Sequence, residues 1–277
     1  MEESKILITA ATGNVGTPLV KKLQEKDVLF TAGTRNSVAA KEKLGTPLET
    51  VYMDFKDVAS FVPAIKGKDI VFLCGPSATP GAEKLLMPVI EEAQRQKVKH
   101  IVFIASYPSV MEAIKNTGID YTFIQANFFM QNFEMYQTED IRDKNQIFLP
   151  VGDGKAPFIH ARDIGEVAAE IINRPDQFKN QTIQITGPET LDHFEVAEIF
   201  SNVLGQKITF KNPSDDEYRK KMKERGFSKE YIDAMIAVFG KIKQRKIMEP
   251  TDEVEKILGR KPIALKQYVE EKKAHFS

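Results

Sequence analysis

Along the first half of the chain, short apolar runs alternate with stretches in which apolar residues recur every three or four positions. Strands buried on both faces, alternating with amphipathic helices, produce that pattern. Lys5-Ile6-Leu7-Ile8 is the first run, and Val15, Leu19, Val20 and Leu23 then mark one face of a helix over 17–26. Further strands are expected at 28–35, 48–53, 69–73 and 99–106, with helices over 58–65 and 83–96. This order predicts an α/β fold, a doubly wound parallel sheet with helices on both faces. Residues 181–186 read as a strand returning to that sheet, 207–211 as a short strand, and the remainder as mostly helical. The chain therefore divides into a main domain over 1–150, to which 160–190 return, and a smaller region over 191–277. Asp163 with Glu166, and Asp192 with Glu195, have the spacing of capping boxes opening helices that run to Ile172 and Leu204. Phe227, Tyr231, Met235, Phe239 and Ile242 give a late helix one apolar face, suited to covering a substrate or a partner.

The join between the first strand and its helix carries the first candidate chemistry. It reads Ala10-x-x-Gly13-x-x-Gly16, a small-residue turn running into a helix N-terminus. A dinucleotide pyrophosphate needs such a join, because it must approach the backbone closely and rest on free N–H groups where the helix dipole is positive. Thr12, Gly13, Asn14, Val15 and Gly16 are the candidate phosphate contacts. An ordinary strand-to-helix turn with two glycines has the same appearance, so the rest of the chain must decide. At the end of the second strand, where an acidic residue would bind the ribose 2′-OH of NAD, the chain has Arg35 followed by Asn36. An arginine fork suits a 2′-phosphate, which favours NADP(H) over NAD(H); the alternative is a solvated strand-end arginine. Asp54-Phe55, after the third strand, could contact the adenine amino group, and Asp54 could equally be a turn acceptor or cap. Cys74-Gly75-Pro76 opens a loop of small residues, running to Gly81, that would pass under the pyrophosphate and ribose.

Composition narrows the classes. Lys plus Arg and Asp plus Glu number 39 each, so no global field draws in nucleic acid or an anionic membrane. The basic residues Lys220, Lys221, Lys223 and Arg225, with Lys241, Lys243, Arg245 and Lys246, read as solvated helix faces. No apolar run approaches the roughly 20 residues that span a bilayer. The acidic start Met1-Glu2-Glu3-Ser4 leaves no room for a signal peptide. With Cys74 the only cysteine and four scattered histidines, the expectation is a cytoplasmic protein with neither disulfide nor metal.

These parts in this order resemble the NmrA-like group of atypical short-chain dehydrogenases/reductases. The group includes NAD(P)H-dependent quinone and triphenylmethane-dye reductases and cofactor-sensing regulators. The resemblance spans nearly the whole chain. Its carriers are the glycine loop, Arg35, Asp54, the stretch from Glu112 to Thr122, Asn127-Phe128-Phe129-Met130-Gln131-Asn132, the stretch from His160 to Ala169, and Thr186-Gly187-Pro188-Glu189. It implies a Rossmann-type domain with a smaller substrate region, and an acceptor pocket formed partly by Asn127, Phe128, Phe129 and Asn132. Phe128, Phe129, Met130 and Phe133 can also be read as core at helical spacing.

Several departures bear on catalysis. Short-chain dehydrogenases usually pair a Tyr with a Lys four residues later beside a Ser, whereas Ser106-Tyr107 is followed by Met111 at the Lys position. Ser106 and Tyr107 remain the candidates for polar assistance. Only residues 107–111 separate Ser106 from Glu112, where the family has a longer loop, and Ser109 stands at the position of a family His. Gln125-Ala126 replaces an Arg-Pro after the sixth strand. Three functions follow from the resemblance: an NAD(P)H-dependent reductase of quinone-like or other small electrophilic acceptors, a non-catalytic NADP(H) sensor that binds a protein partner, and a nucleoside-diphosphate-sugar epimerase. The last needs the missing Tyr-Lys pair.

Overall fold

The computed structural model describes residues 5–76, 79, 81–126, 128–244 and 249–277. The chain forms two compact units: residues 1–126, 161–184 and 256–259, and residues 127–160, 185–255 and 260–277. Residues 127–150, expected with the first unit, thus group with the second.

In the first unit the order is β1 (Ile6–Ile8), α1 (Gly16–Glu25), β2 (Thr31–Thr34), α2 (Ser37–Leu44), β3 (Thr50–Tyr52), α3 (Phe61–Ile65), β4 (Ile70–Leu73), α4 (Ala82–Arg95), β5 (His100–Ile104), α5 (Pro108–Asn116) and β6 (Asp120–Ala126). The second unit continues with α6 (Gln131–Tyr136), α7 (Thr138–Lys144), β7 (Gln146–Phe148) and β8 (Ala156–Pro157). The chain then returns to the first unit as α8 (Ala161–Asn173) and β9 (Gln181–Ile185). It ends as β10 (Thr190–Leu191), α9 (His193–Leu204), β11 (Thr209–Lys211), α10 (Asp215–Glu224), α11 (Lys229–Lys243), α12 (Glu253–Leu258), α13 (Leu265–Glu271) and α14 (Lys273–Phe276).

Seven strands make one sheet in the order β3-β2-β1-β4-β5-β6-β9, and each pairing from β3 to β6 is parallel. The sheet is the expected doubly wound Rossmann-type arrangement. The order reverses between β1 and β4, which places a crevice at the carboxyl ends of these strands. β1 and β5 are buried throughout, as strands covered by helices on both faces must be. The strands are shorter than their apolar runs predict. Residues 28–30 precede β2 without a ladder because β1 supplies partners only from Leu7, paired with Thr31, and Leu29 is exposed.

Two local expectations are corrected. α8 begins at Ala161, so Asp163 lies in its first turn rather than at its cap, whereas Asp192 and Glu195 do form the capping box of α9. The late apolar helix starts at Lys229 with Ser228 as cap, leaving Phe227 outside it, stacked on Tyr231 at 5.1 Å. Tyr231 and Ile242 are buried, and Met235 and Phe239 pack against the core of the second unit.

The basic residues of α10 also divide. Lys220 and Lys223 are exposed as expected, but Lys221 Nζ and Arg225 Nη2 turn inward to the two oxygens of fully buried Asp140, at 2.5 and 3.0 Å. A buried carboxylate requires such partners, and Lys221 also lies 3.8 Å from the Phe148 ring. Lys243 pairs with Asp215, and Arg245 and Lys246 lie outside the described residues.

His193 opens α9 among Phe133, Phe158 and Phe210, with ring centroids 6.5, 5.5 and 5.4 Å away. Burial depresses its pKa to about 4, and the smaller effect of Asp192 opposes this. Between pH 6.5 and 4 the unfolded chain therefore takes up a proton that the folded chain refuses. Its contribution is complete above the unfolded pKa and falls as the pH drops, by on the order of 3 kcal/mol at pH 4. His193→Phe should cut the loss of unfolding free energy between pH 7 and 4.5 by at least about 1 kcal/mol. Urea titrations at both pH values measure this, and parallel losses in the two proteins would refute it.

Candidate functional site

The turn after β1 is closed by backbone hydrogen bonds. Gly13 N–H donates to the Ala10 carbonyl at 2.9 Å, and Thr17 N–H to the Gly13 carbonyl at 3.0 Å. A Cβ on Gly16 would lie 2.1 Å from the Ala10 oxygen and 2.8 Å from Ala11 Cα, so the helix start presses on the strand end and admits glycine alone. Gly13 differs: it is exposed, and a Cβ there would stand 3.1 Å from the Ala10 oxygen. Its missing side chain keeps the outer face of the turn open. Ala10 itself has φ +50°, a left-handed conformation costing about 1 to 2 kcal/mol for an L residue. A glycine at position 10 would relieve that strain, and Ala10 shows that the turn tolerates its absence.

A cradle that a Cβ at Gly13 would narrow, at a helix N-terminus beside the β1/β4 crossover, fits a pyrophosphate. One cation reaches it and another ends the neighbouring strand. Arg35 is exposed at the end of β2, followed by Asn36, whose side chain caps α2 by accepting Ala39 N–H at 3.0 Å. From the other end of α2, Lys43 Nζ donates to the Thr12 carbonyl at 2.8 Å. The sequence reading missed Lys43. Its only sequence signal was a lysine on the helix following Arg35, and such lysines are ordinarily solvated.

The other candidates separate clearly. Asp54 Oδ1 accepts Lys56 N–H at 3.0 Å, and the Asp54 carbonyl accepts Asp57 N–H at 2.9 Å, which is the turn-acceptor alternative. Phe55 packs, partly buried, against the core of the first unit. Cys74 ties two strand ends together, its N–H donating to Thr9 Oγ1 at 3.0 Å. Burial pushes its thiol up to about 12, so it remains a thiol and not a nucleophile. Gly75 and Pro76 are partly exposed; Ser77, Ala78 and Pro80 lie outside the described residues.

β5 and α5 are joined by Ala105, Ser106 and Tyr107 alone. Ser106 is exposed, and its hydroxyl has a long contact of 3.4 Å to the Ile104 carbonyl. Tyr107 packs against the core. Burial raises its phenol above the ordinary value, and the charges of Glu83 and Cys74 act in the same direction. Gln125 and Ala126 are the last residues of β6 rather than following it, and Gln184 donates to the Gln125 side chain at 3.3 Å.

The candidate acceptor residues belong to the second unit. Asn127 lies outside the described residues. Phe128 has φ +54°, and Phe129 bridges Ile159; Met130 N–H donates to the Ile159 carbonyl at 2.9 Å. The helical spacing therefore begins only at Gln131. Met130 and Phe133 are core, Phe128 and Phe129 half-buried and Asn132 exposed.

A parallel sheet with a glycine turn at its crossover and an arginine at the β2 end defines a Rossmann-type, dinucleotide-binding class of protein. The sequence pattern of the NAD(P)H-binding family matches residues 10–111, and that of the NmrA-like family matches residues 90–271. The chain belongs to the NmrA-like family, an NAD(P)H-binding, oxidoreductase-type group. It is 30% identical to prestalk A differentiation protein A of Dictyostelium discoideum, over 96% of this chain and 91% of that protein. It is 29% identical to an NAD(P)H azoreductase of Xenophilus azovorans, over 98% and 97%. Its fold is that of an NADPH-dependent quinone oxidoreductase of Escherichia coli solved with NADPH, with a TM-score of 0.84 at 18% identity, covering 96% of this chain and 99% of that one. Among the described residues, no helix is long and apolar enough to cross a membrane.

Proposed function

We propose that the protein is an NADP(H)-preferring reductase that delivers hydride to a quinone-like or other small electrophilic acceptor. The observation that carries the cofactor half of this reading is the open cradle at Gly13, with Lys43 bonded to the turn and Arg35 at the end of the neighbouring strand β2. The N–H groups of residues 14–16 would hold the pyrophosphate, and Arg35 and Lys43 the 2′-phosphate. The nicotinamide, when bound, supplies the hydride.

The acceptor half follows from what the chain offers around Ser106. A carbonyl or sugar substrate needs a tuned proton donor. Tyr107 has no lysine at the position that would acidify it, and burial moves its phenol in the opposite direction. A quinone is electrophilic enough to accept hydride directly, the added electron pair being neutralised by a proton from water to give the hydroquinone. The azoreductase and quinone oxidoreductase relatives support this class of acceptor.

Fluorescence titration with NADPH and NADH, followed by a panel of small quinones, tests the reading. Tighter NADPH binding with quinone-dependent oxidation is expected. Tyr107→Phe should leave kcat within about threefold, because water and not this phenol supplies the proton. A loss of 100-fold or more would identify Tyr107 as the proton donor and overturn this assignment. The three-residue β5–α5 connection favours a second reading, a cofactor sensor that binds a partner protein; tight NADPH binding without oxidation of any acceptor would select it.

A further inference from the structure

Gly165 sits within α8, a helix buried along most of its length, where alanine would form helix better and lose less conformational freedom on folding. Its surroundings show why it is not alanine. A Cβ at Gly165 would lie 2.7 Å from the Val15 oxygen, 2.7 Å from Leu19 N and 2.7 Å from Pro18 Cγ. The first two atoms are partners: Leu19 N–H donates to the Val15 carbonyl at 3.2 Å, in the opening turn of α1. A methyl group on α8 would therefore wedge into that turn, and two of its three obstacles are backbone atoms that no rotamer change can move. Close helix packing transmits such a displacement rather than absorbing it.

We propose that Gly165 is a positioning residue for dinucleotide binding, setting where the first turn of α1, and with it the N–H groups of residues 14–16, stands above the glycine turn. The inference rests on the reading of that turn as the pyrophosphate site. It assigns to Gly165 a role in cofactor affinity exerted through α1. Because the pyrophosphate is common to both cofactors and the 2′-phosphate is not, the effect has a signature: NADPH and NADH must weaken together.

The test measures Kd for NADPH and NADH by fluorescence, at a temperature where each variant is folded, for wild type, Gly165→Ala and Gly154→Ala. A Cβ at Gly154 would meet the Ile242 oxygen at 2.1 Å within the second unit, so this variant reports lost stability alone. Gly165→Ala should raise both Kd values at least tenfold with their ratio unchanged within twofold, while Gly154→Ala lowers the melting temperature and leaves Kd unchanged. A folded Gly165→Ala that binds both cofactors like wild type, or one that shifts only NADPH, overturns the proposal. Wild type that binds neither cofactor overturns the pyrophosphate reading itself. Should Gly165→Ala fail to fold, Pro18→Ala removes the ring facing Gly165 from α1; a threefold or larger equal weakening of both cofactors is expected, and none overturns the proposal.

Discussion

Gly13→Val should raise Kd for NADPH and NADH alike by about 100-fold or more while the protein keeps its fold. Two or three charge-assisted hydrogen bonds, each contributing about 1.5 to 3 kcal/mol, hold a pyrophosphate at such a turn, and losing two of them amounts to at least that factor. The substitution is tolerable to the fold because Gly13 is exposed and only the Ala10 oxygen, 3.1 Å from its added Cβ, must give way. Its isopropyl group would then occupy the outer face, where the phosphate has to approach. Gly16→Ala is the instructive contrast. Its methyl would meet the Ala10 oxygen at 2.1 Å, so the strand, turn and helix must separate. A loss of about 3 kcal/mol or more is expected, lowering the melting temperature by roughly 6 to 12 °C for a chain of this size. Circular dichroism melts and cofactor titrations on the two variants separate a blocked site from a broken scaffold. Tight binding by Gly13→Val would remove the turn from consideration as the phosphate site.

Arg35→Glu is expected to weaken NADPH by one to two orders of magnitude and NADH by less than about threefold. Arg35 is exposed and follows directly on β2, so little of the fold depends on it. Reversing its charge replaces a bidentate donor to the 2′-phosphate with a repelling carboxylate. The effect should shrink as salt is raised from 0.05 to 0.5 M, since an exposed pair is screened over about 10 Å at 0.1 M ionic strength. Lys43→Ala should act in the same direction but more weakly, because its ammonium also serves the Thr12 carbonyl and lacks the bidentate fork of an arginine. An unchanged NADPH-to-NADH ratio in Arg35→Glu would sink the preference for NADP(H).

Local order along the chain was legible in the sequence: the run Ile6 to Ile8, the glycines at 13 and 16, the periodic helix after them and the strand returning near 181 all depend on spacings between neighbouring residues. Such spacings encode the class of fold and the existence of a glycine turn between strand and helix, because periodicity and glycine act over a few residues. Contacts between distant residues were decided only by the tertiary structure. Asp140 draws Lys221 and Arg225 off an apparently solvated face, Lys43 reaches back to Thr12, and Gly165 faces the opening hydrogen bond of α1. A lysine's pattern along a helix does not say whether a buried carboxylate waits in another element, and a glycine's position does not say whose backbone lies against it. Desolvation and close packing, which set these contacts, belong to the folded chain.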